Sequence, residues 1–225
     1  MEKRQSLVPE KPVREWAHEL ALKISREELA CITDIEERCR KSGALYSRGE
    51  NSVAIKYLNR NYRISIPGGE VSFTGSNEAV PLRDKILILH YFIRASGIPL
   101  TGKMITYKEV QEGINYYPTF FKRTIDPVLN NFKDEPQKLI DVARELGGKK
   151  TDYGDTAVTV SAFPYVPLTI VLWRGDKEFP PEGNIMFDST IQEYLPTEDI
   201  TILCEMIAWK LVKLLQTGGN SAVNK

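Results

Sequence analysis

Twice along the sequence the spacing of apolar residues switches from three or four to two. In SVAIKYLNRNYRISIPGG (residues 52–69), Val53, Ile55 and Tyr57 alternate with polar or small residues. Tyr62, Ile64 and Ile66 do the same after a turn around Asn59 to Asn61. In TAVTVSAFPYVPLTIVLW (156–173), two alternating runs flank Pro164 and Tyr165. A period of two sends successive side chains to opposite faces of a strand, so both stretches predict tightly joined antiparallel pairs. GGEVSFTG adds a short third strand to the first pair, and KMITYKEV is strand-like. IMFD reads as a short strand after the turn-rich RGDKEFPPEGN. Strands that come in clusters argue against a parallel βαβ array. They predict an α+β fold, with antiparallel sheet or sheets packed with several helices in a single compact domain.

The helical period fills the gaps. ISREELACITDIEERCRKSG reads as one amphipathic helix, opened by a Ser25–Glu28 capping box and stopped by Gly43. A second helix covers 82–96 and is ended by Gly97 and Pro99. Pro118 suits the first turn of a helix reaching Ile125, which Asp126 and Pro127 restart as a short second piece. In DEPQKLIDVARELGG, Asp134 is the cap, Gln137 closes its box and Gly147 is the stop. Thr197 caps a last helix, with Glu198 and Asp199 favourable to its dipole and an apolar stripe from Ile200 to Leu214. The expected layout is an N-terminal extension over 1–24, one α+β domain over 25–217 and a disordered tail over 218–225.

Thirty basic and thirty acidic side chains cancel. Recognition of nucleic acid or of a membrane through bulk charge is therefore not expected. No apolar run approaches the roughly 20 residues of a membrane helix, and the N-terminus lacks the apolar core of a secretion signal. The expected location is the cytoplasm. Cys31 and Cys39 fall on one predicted helix, roughly 12 Å apart along its axis, beyond the span of a disulfide. Cys204 falls on the apolar stripe of another. With no CxxC pair, no metal or cluster site of this chain's own is expected.

Few side chains stand out chemically. His90 sits in KILILHYFIR, a helix apolar nearly all round, where an imidazole is costly unless its nitrogens find partners. It is either a histidine satisfied within the core or a base or donor on a pocket wall. GINYYPTFFKRT sets Tyr116, Tyr117, Phe120 and Phe121 beside Lys122 and Arg123, a mix that can line a cavity and receive an anion, or serve as core anchors beside solvated cations. Thr101, Gly102 and Lys103 imitate a phosphate loop but lack its upstream glycine. Trp173, Asp176, Glu178, Asp188 and Glu193 form a second, acidic and aromatic group that could supply an acid–base pair or hold a hard cation. His18 lies on an amphipathic N-terminal segment and is expected to be exposed.

Taken in order, KSGALY, YRISIPGGEV, ILILHYFIRASGIPLTGKMITYKEV, YYPTFFKRTIDP and VPLTIVLWRGDKEFPPEGNIMFDSTIQEYLPTEDI resemble domain of unknown function 3786. The likeness runs over roughly residues 40 to 210. It implies a cytoplasmic protein of an anaerobe, working near corrinoid or redox metabolism, with a corrinoid or iron–sulfur protein as partner. It carries over no catalytic residue, and the four-cysteine segment of some relatives is absent here.

The leading expectation is a ligand-binding or accessory protein with its site between the His90 helix and the Tyr116–Arg123 segment. Tyr91, Tyr116, Tyr117 and Phe121 would form walls. Lys103, Lys122 and Arg123 would receive carboxylates or phosphates, and a corrinoid or other tetrapyrrole would suit His90 as an axial-type ligand. Two alternatives stand beside it: an enzyme pairing His90 with Asp188 or Glu178, and a partner-binding module with the aromatics at 116–121 exposed.

Overall fold

The alternating stretches form two antiparallel sheets. The first runs β1 (Leu45–Ser47), β2 (Ser52–Tyr57), β3 (Arg60–Ser65) and β4 (Val71–Phe73) in chain order. The second has the order β5 (Met104–Thr106), β9 (Glu182–Asp188), β8 (Val166–Trp173), β7 (Thr156–Phe163) and β6 (Lys149–Thr151). The computed structural model describes residues 13–221. The expected N-terminal extension and tail therefore lie partly outside the described residues, at 1–12 and 222–225.

Each hairpin follows its pattern. Val53 pairs with Ile64 and Ile55 with Tyr62, so the apolar members share one buried face. The turn sits one residue earlier than the sequence suggests, on Leu58 and Asn59, both with positive φ as a two-residue hairpin turn requires. Leu58 is buried, and its N–H donates to the Ala162 carbonyl at 3.0 Å, joining the two sheets through main chain. Aromatic rings continue the junction, with Phe163 stacked on Tyr57 at 4.7 Å and on Tyr91 at 4.1 Å.

The helices are α1 (Val13–Ala30), α2 (Ile35–Ser42), α3 (Leu82–Arg94), α4 (Gly113–Arg123), α5 (Ile125–Phe132), α6 (Gln137–Ala143) and α7 (Thr197–Ser221). Helices α5 and α6 lie between the five-stranded sheet and α7, while α3 packs against α1 and α2. The result is an α+β domain with one continuous core. No helix among the described residues is long and apolar enough to cross a membrane.

Several element ends differ from the sequence reading, among them the start of α6, which begins at Gln137 after Pro136 with no side-chain cap, so Asp134 and Gln137 form no capping box. Ser25 lies inside α1 and donates to the Ala21 carbonyl at 2.8 Å, the intrahelical bond open to a serine in mid-helix. The chain then breaks, and Asp34 caps α2 by accepting from the Glu37 N–H at 2.8 Å. Cys31 consequently lies in the break, while Cys39 is buried on α2. Helix α4 starts at Gly113, so Pro118 sits in its interior rather than in its first turn. Thr197 is the first residue of α7 and not its cap: its hydroxyl accepts from no helix N–H among the described residues and donates to the Gln111 carbonyl at 2.9 Å.

Candidate functional site

Three helices are tied together by four cross-links, and the cross-links fix their relative direction. On α7, Glu205 accepts from Arg123 of α4, with Nε at 3.0 Å, and from Arg83 of α3 at 3.4 Å. Near the start of α7, Asp199 meets His90 of α3, and Thr197 reaches the Gln111 carbonyl just before α4. Arg83 precedes His90 whereas Asp199 precedes Glu205, so α3 runs antiparallel to α7. Gln111 pairs with Thr197 and Arg123 with Glu205, so α4 runs parallel to it.

Between them is a cleft of about 720 Å³. Helices α7 and α4 each turn one face to it. Glu198, Thr201, Ile202 and Glu205 follow the i, i+3, i+4, i+7 rule on α7, while on α4 Tyr116 and Arg123 are seven residues apart, with Asn115 beside them. Arg83 lines it from α3, and His18 of α1 closes another side. Tyr107, which stacks on Phe120 at 3.7 Å, shares a 2.7 Å hydrogen bond with Thr201. The Thr201 hydroxyl spends its hydrogen on the Thr197 carbonyl at 3.0 Å, so Tyr107 is the donor of that pair.

Two guanidiniums thus face one carboxylate. Glu205 is mostly buried, and Arg123 also donates to the Tyr116 hydroxyl at 3.1 Å. Burial works against the charge on Arg123, but the hydrogen bond and charge of Glu205 outweigh it and raise its pKa. Arg83 is the less satisfied partner, with a buried Nε that has no hydrogen-bond partner among the described residues. A second cleft of about 640 Å³ adjoins the first, sharing Glu112, Thr197 and Glu198 and adding Arg94 at the end of α3.

His90 lies between Arg83 and Arg94 along α3 and is not among the residues lining either cleft. Its side chain is 22% exposed, and Nδ1 is 2.7 Å from Oδ2 of Asp199, which is 5% exposed. A carboxylate only accepts, so in the neutral ring Nδ1 carries the hydrogen and Nε2 keeps the lone pair. No hydrogen-bond partner for Nε2 occurs among the described residues. This is the geometry of an oriented imidazole, with Asp199 rather than Asp188 or Glu178 as its carboxylate.

Asp188 is an anchor. Its Oδ1 accepts from the backbone N–H and hydroxyl of both Thr101 and Thr190, and its Oδ2 accepts from the Gly102 N–H at 2.7 Å. Burial alone would raise its pKa, but these donors lower it to about 2. Glu178 lies in the exposed turn after β8, where Asp176 accepts from the Glu178 and Phe179 N–H groups. Trp173 is 38% exposed at the end of β8.

Of the first group, Tyr116 and Arg123 reach the cleft. Tyr91 does not form a wall: it is fully buried, donating to the Ser42 carbonyl and accepting from the Tyr165 N–H. Tyr117 lies under the Lys108 ammonium, and Phe121 packs on the core. Lys103 and Lys122 are exposed and line no part of the cleft. His18 is only half exposed. Arg83, Tyr107, Glu112, Asp199 and Glu205 went unread as site residues, although a helical wheel places the polar positions 83, 90 and 94 on one face of α3.

Cys39 and Cys204 are buried, and burial pushes the Cys39 thiol up to about 11. No group of three or more potential ligands among the described residues is placed to hold a metal ion. No curated protein and no solved structure matches the chain. The model of domain of unknown function 3786 matches residues 34–210. The chain belongs to that family.

Proposed function

We propose that the protein binds a small organic molecule in the cleft between α3, α4 and α7. One observation carries this reading. A cleft of about 720 Å³, within the range of drug-sized ligands, is lined by two arginines that share the single carboxylate of Glu205. Ile202 lines the cleft and takes no part in its ion pairs, so Ile202→Trp should fill it while leaving the fold intact. Native mass spectrometry of the protein purified from its own host should find a retained small molecule, lost in Ile202→Trp. No retained mass, and no thermal shift from a broad compound library, would overturn the proposal.

The corrinoid or other tetrapyrrole implied by the resemblance fits this cleft poorly. An imidazole held at Nδ1 by a carboxylate is a good metal ligand at Nε2, but His90 does not line the cleft. The walls carry Arg83, Arg123, Glu112, Glu198 and Glu205, where a macrocycle needs apolar and aromatic faces. An association with corrinoid or redox metabolism, or with a corrinoid or iron–sulfur protein, rests on the resemblance alone.

A second reading, an enzyme, is favoured by the His90–Asp199 pair, since an oriented imidazole with a free Nε2 is the form a general base takes. Because His90 lines neither cleft, its substrate would lie outside them, and His90→Gln and Asp199→Asn would each abolish conversion of a host metabolite, read by mass spectrometry, whereas Ile202→Trp would not. Unchanged conversion in both would sink it.

A further inference from the structure

The charges of the cleft are sorted by end. Glu205, Arg123 and Arg83 meet at one end, where two guanidiniums share one carboxylate and one positive charge is left over. Glu112 and Glu198 also line the adjoining cleft, which places them at the opposite end. Neither has an ion-pair partner among the described residues. Glu198 and Glu205 are seven residues apart on α7, so the two ends are separated by about 10 Å along its axis.

We infer that the ligand of this cleft is an elongated zwitterion, with a carboxylate between Arg83 and Arg123 and an ammonium between Glu112 and Glu198. The inference rests on the reading of the cleft as a small-molecule site and names its substrate class. A single carboxylate matches the one uncompensated positive charge, and a guanidinium fork matches its two oxygens. Arg83 spends a single long bond of 3.4 Å on Glu205, which leaves its other terminal N–H groups for the ligand. At the other end, Glu112 and Glu198 are not ion-paired and outnumber Arg94, which lines the adjoining cleft, so they favour an ammonium and repel a second anion. A span of about 10 Å corresponds to a tripeptide, at 3.3–3.6 Å per residue, or to an ω-amino acid of similar length. Tyr116 and Ile202 give the ligand apolar contact, and the Tyr116 hydroxyl a polar one.

Isothermal titration calorimetry on the full chain tests this with trialanine and 8-aminooctanoate. N-acetyl-trialanine and octanoate serve as analogues without the ammonium, and trialanine amide and octylamine as analogues without the carboxylate. At least one zwitterion should bind about tenfold more tightly than either of its singly charged analogues, a difference of about 1.4 kcal/mol. Glu198→Gln should erase the advantage over the acetylated or deaminated analogue, and Arg83→Gln the advantage over the amide or amine. Should Arg83→Gln fail to fold, the exposed pair Glu112→Gln and Glu198→Gln carries the test from the other end. Singly charged analogues that bind equally well would overturn the zwitterion and leave the cleft as a site. The zwitterion also falls, with the cleft still a site, if nothing in this panel binds but a library compound does and Ile202→Trp abolishes it. If neither panel nor library binds, both fall.

Discussion

At the scale of single residues, Asp188 shows how far a side chain's environment can reverse its expected role. Its position in an acidic, aromatic stretch marked it as a base or cation ligand, yet donors from Thr101, Gly102 and Thr190 saturate it. A carboxyl held near pKa 2 in the fold, against an ordinary 3.8, stabilises the native state above about pH 4 and loses that contribution as the pH falls towards 2. The shift corresponds to about 2 kcal/mol at neutral pH. Asp188→Asn should therefore destabilise the protein by about that much at pH 7 in urea unfolding, with the difference closing at about pH 2. A constant difference across that range would mean that the bonds matter and the charge does not. The sequence could not foretell this, because Thr101 and Gly102 lie far from Asp188 along the chain and meet it only through β5–β9 pairing. His90 was legible as anomalous from its apolar neighbours alone, but its partner, read as a helix-dipole residue, was not.

At the scale of elements, periodicity located most helices and strands, and the errors fall where a backbone detail overrides it. The β2–β3 and β7–β8 hairpins agree with their patterns nearly residue for residue, since alternation is a property of the strand itself. Helix α4 does not, because its start depends on a close approach that no pattern encodes. A Cβ on Gly113 would lie 1.9 Å from the Tyr107 carbonyl oxygen, while Glu112 before it adopts φ 60°. Proline at 118 looked like a first-turn residue and is tolerated in mid-helix instead, its missing bond falling beside Ile114, which is 67% exposed. Gly113→Ala must push backbone away from backbone and should cost about 3 kcal/mol, measured by urea unfolding. A loss below about 0.5 kcal/mol, the range of a surface change, would show that the Tyr107 segment yields freely.

At the scale of the whole molecule, the fold class followed from the clustering of strands, but the cleft did not, because it belongs to no single segment. It arises where α3, α4 and α7 converge, with α4 and α7 each contributing one face and α3 contributing Arg83. Glu205 is the point to which both outer helices attach. Glu205→Gln would leave two guanidiniums facing a neutral amide, and we expect it to cost about 3 kcal/mol, as breaking a largely buried pair does. Thermal unfolding in rising salt should narrow the gap to the wild type, because ions shield the released repulsion. A Glu205→Gln protein as stable as the wild type would show that packing alone holds the three helices.

The antiparallel and parallel docking of α3 and α4 on α7 has a consequence for biosynthesis. Both outer walls leave the ribosome well before the helix that carries Glu198 and Glu205, so a nascent chain has its arginines exposed and nothing for them to grip. Whatever the finished protein captures, it can capture only after translation has passed α7, and a ligand present in the cell would then act as a latch on a late folding event.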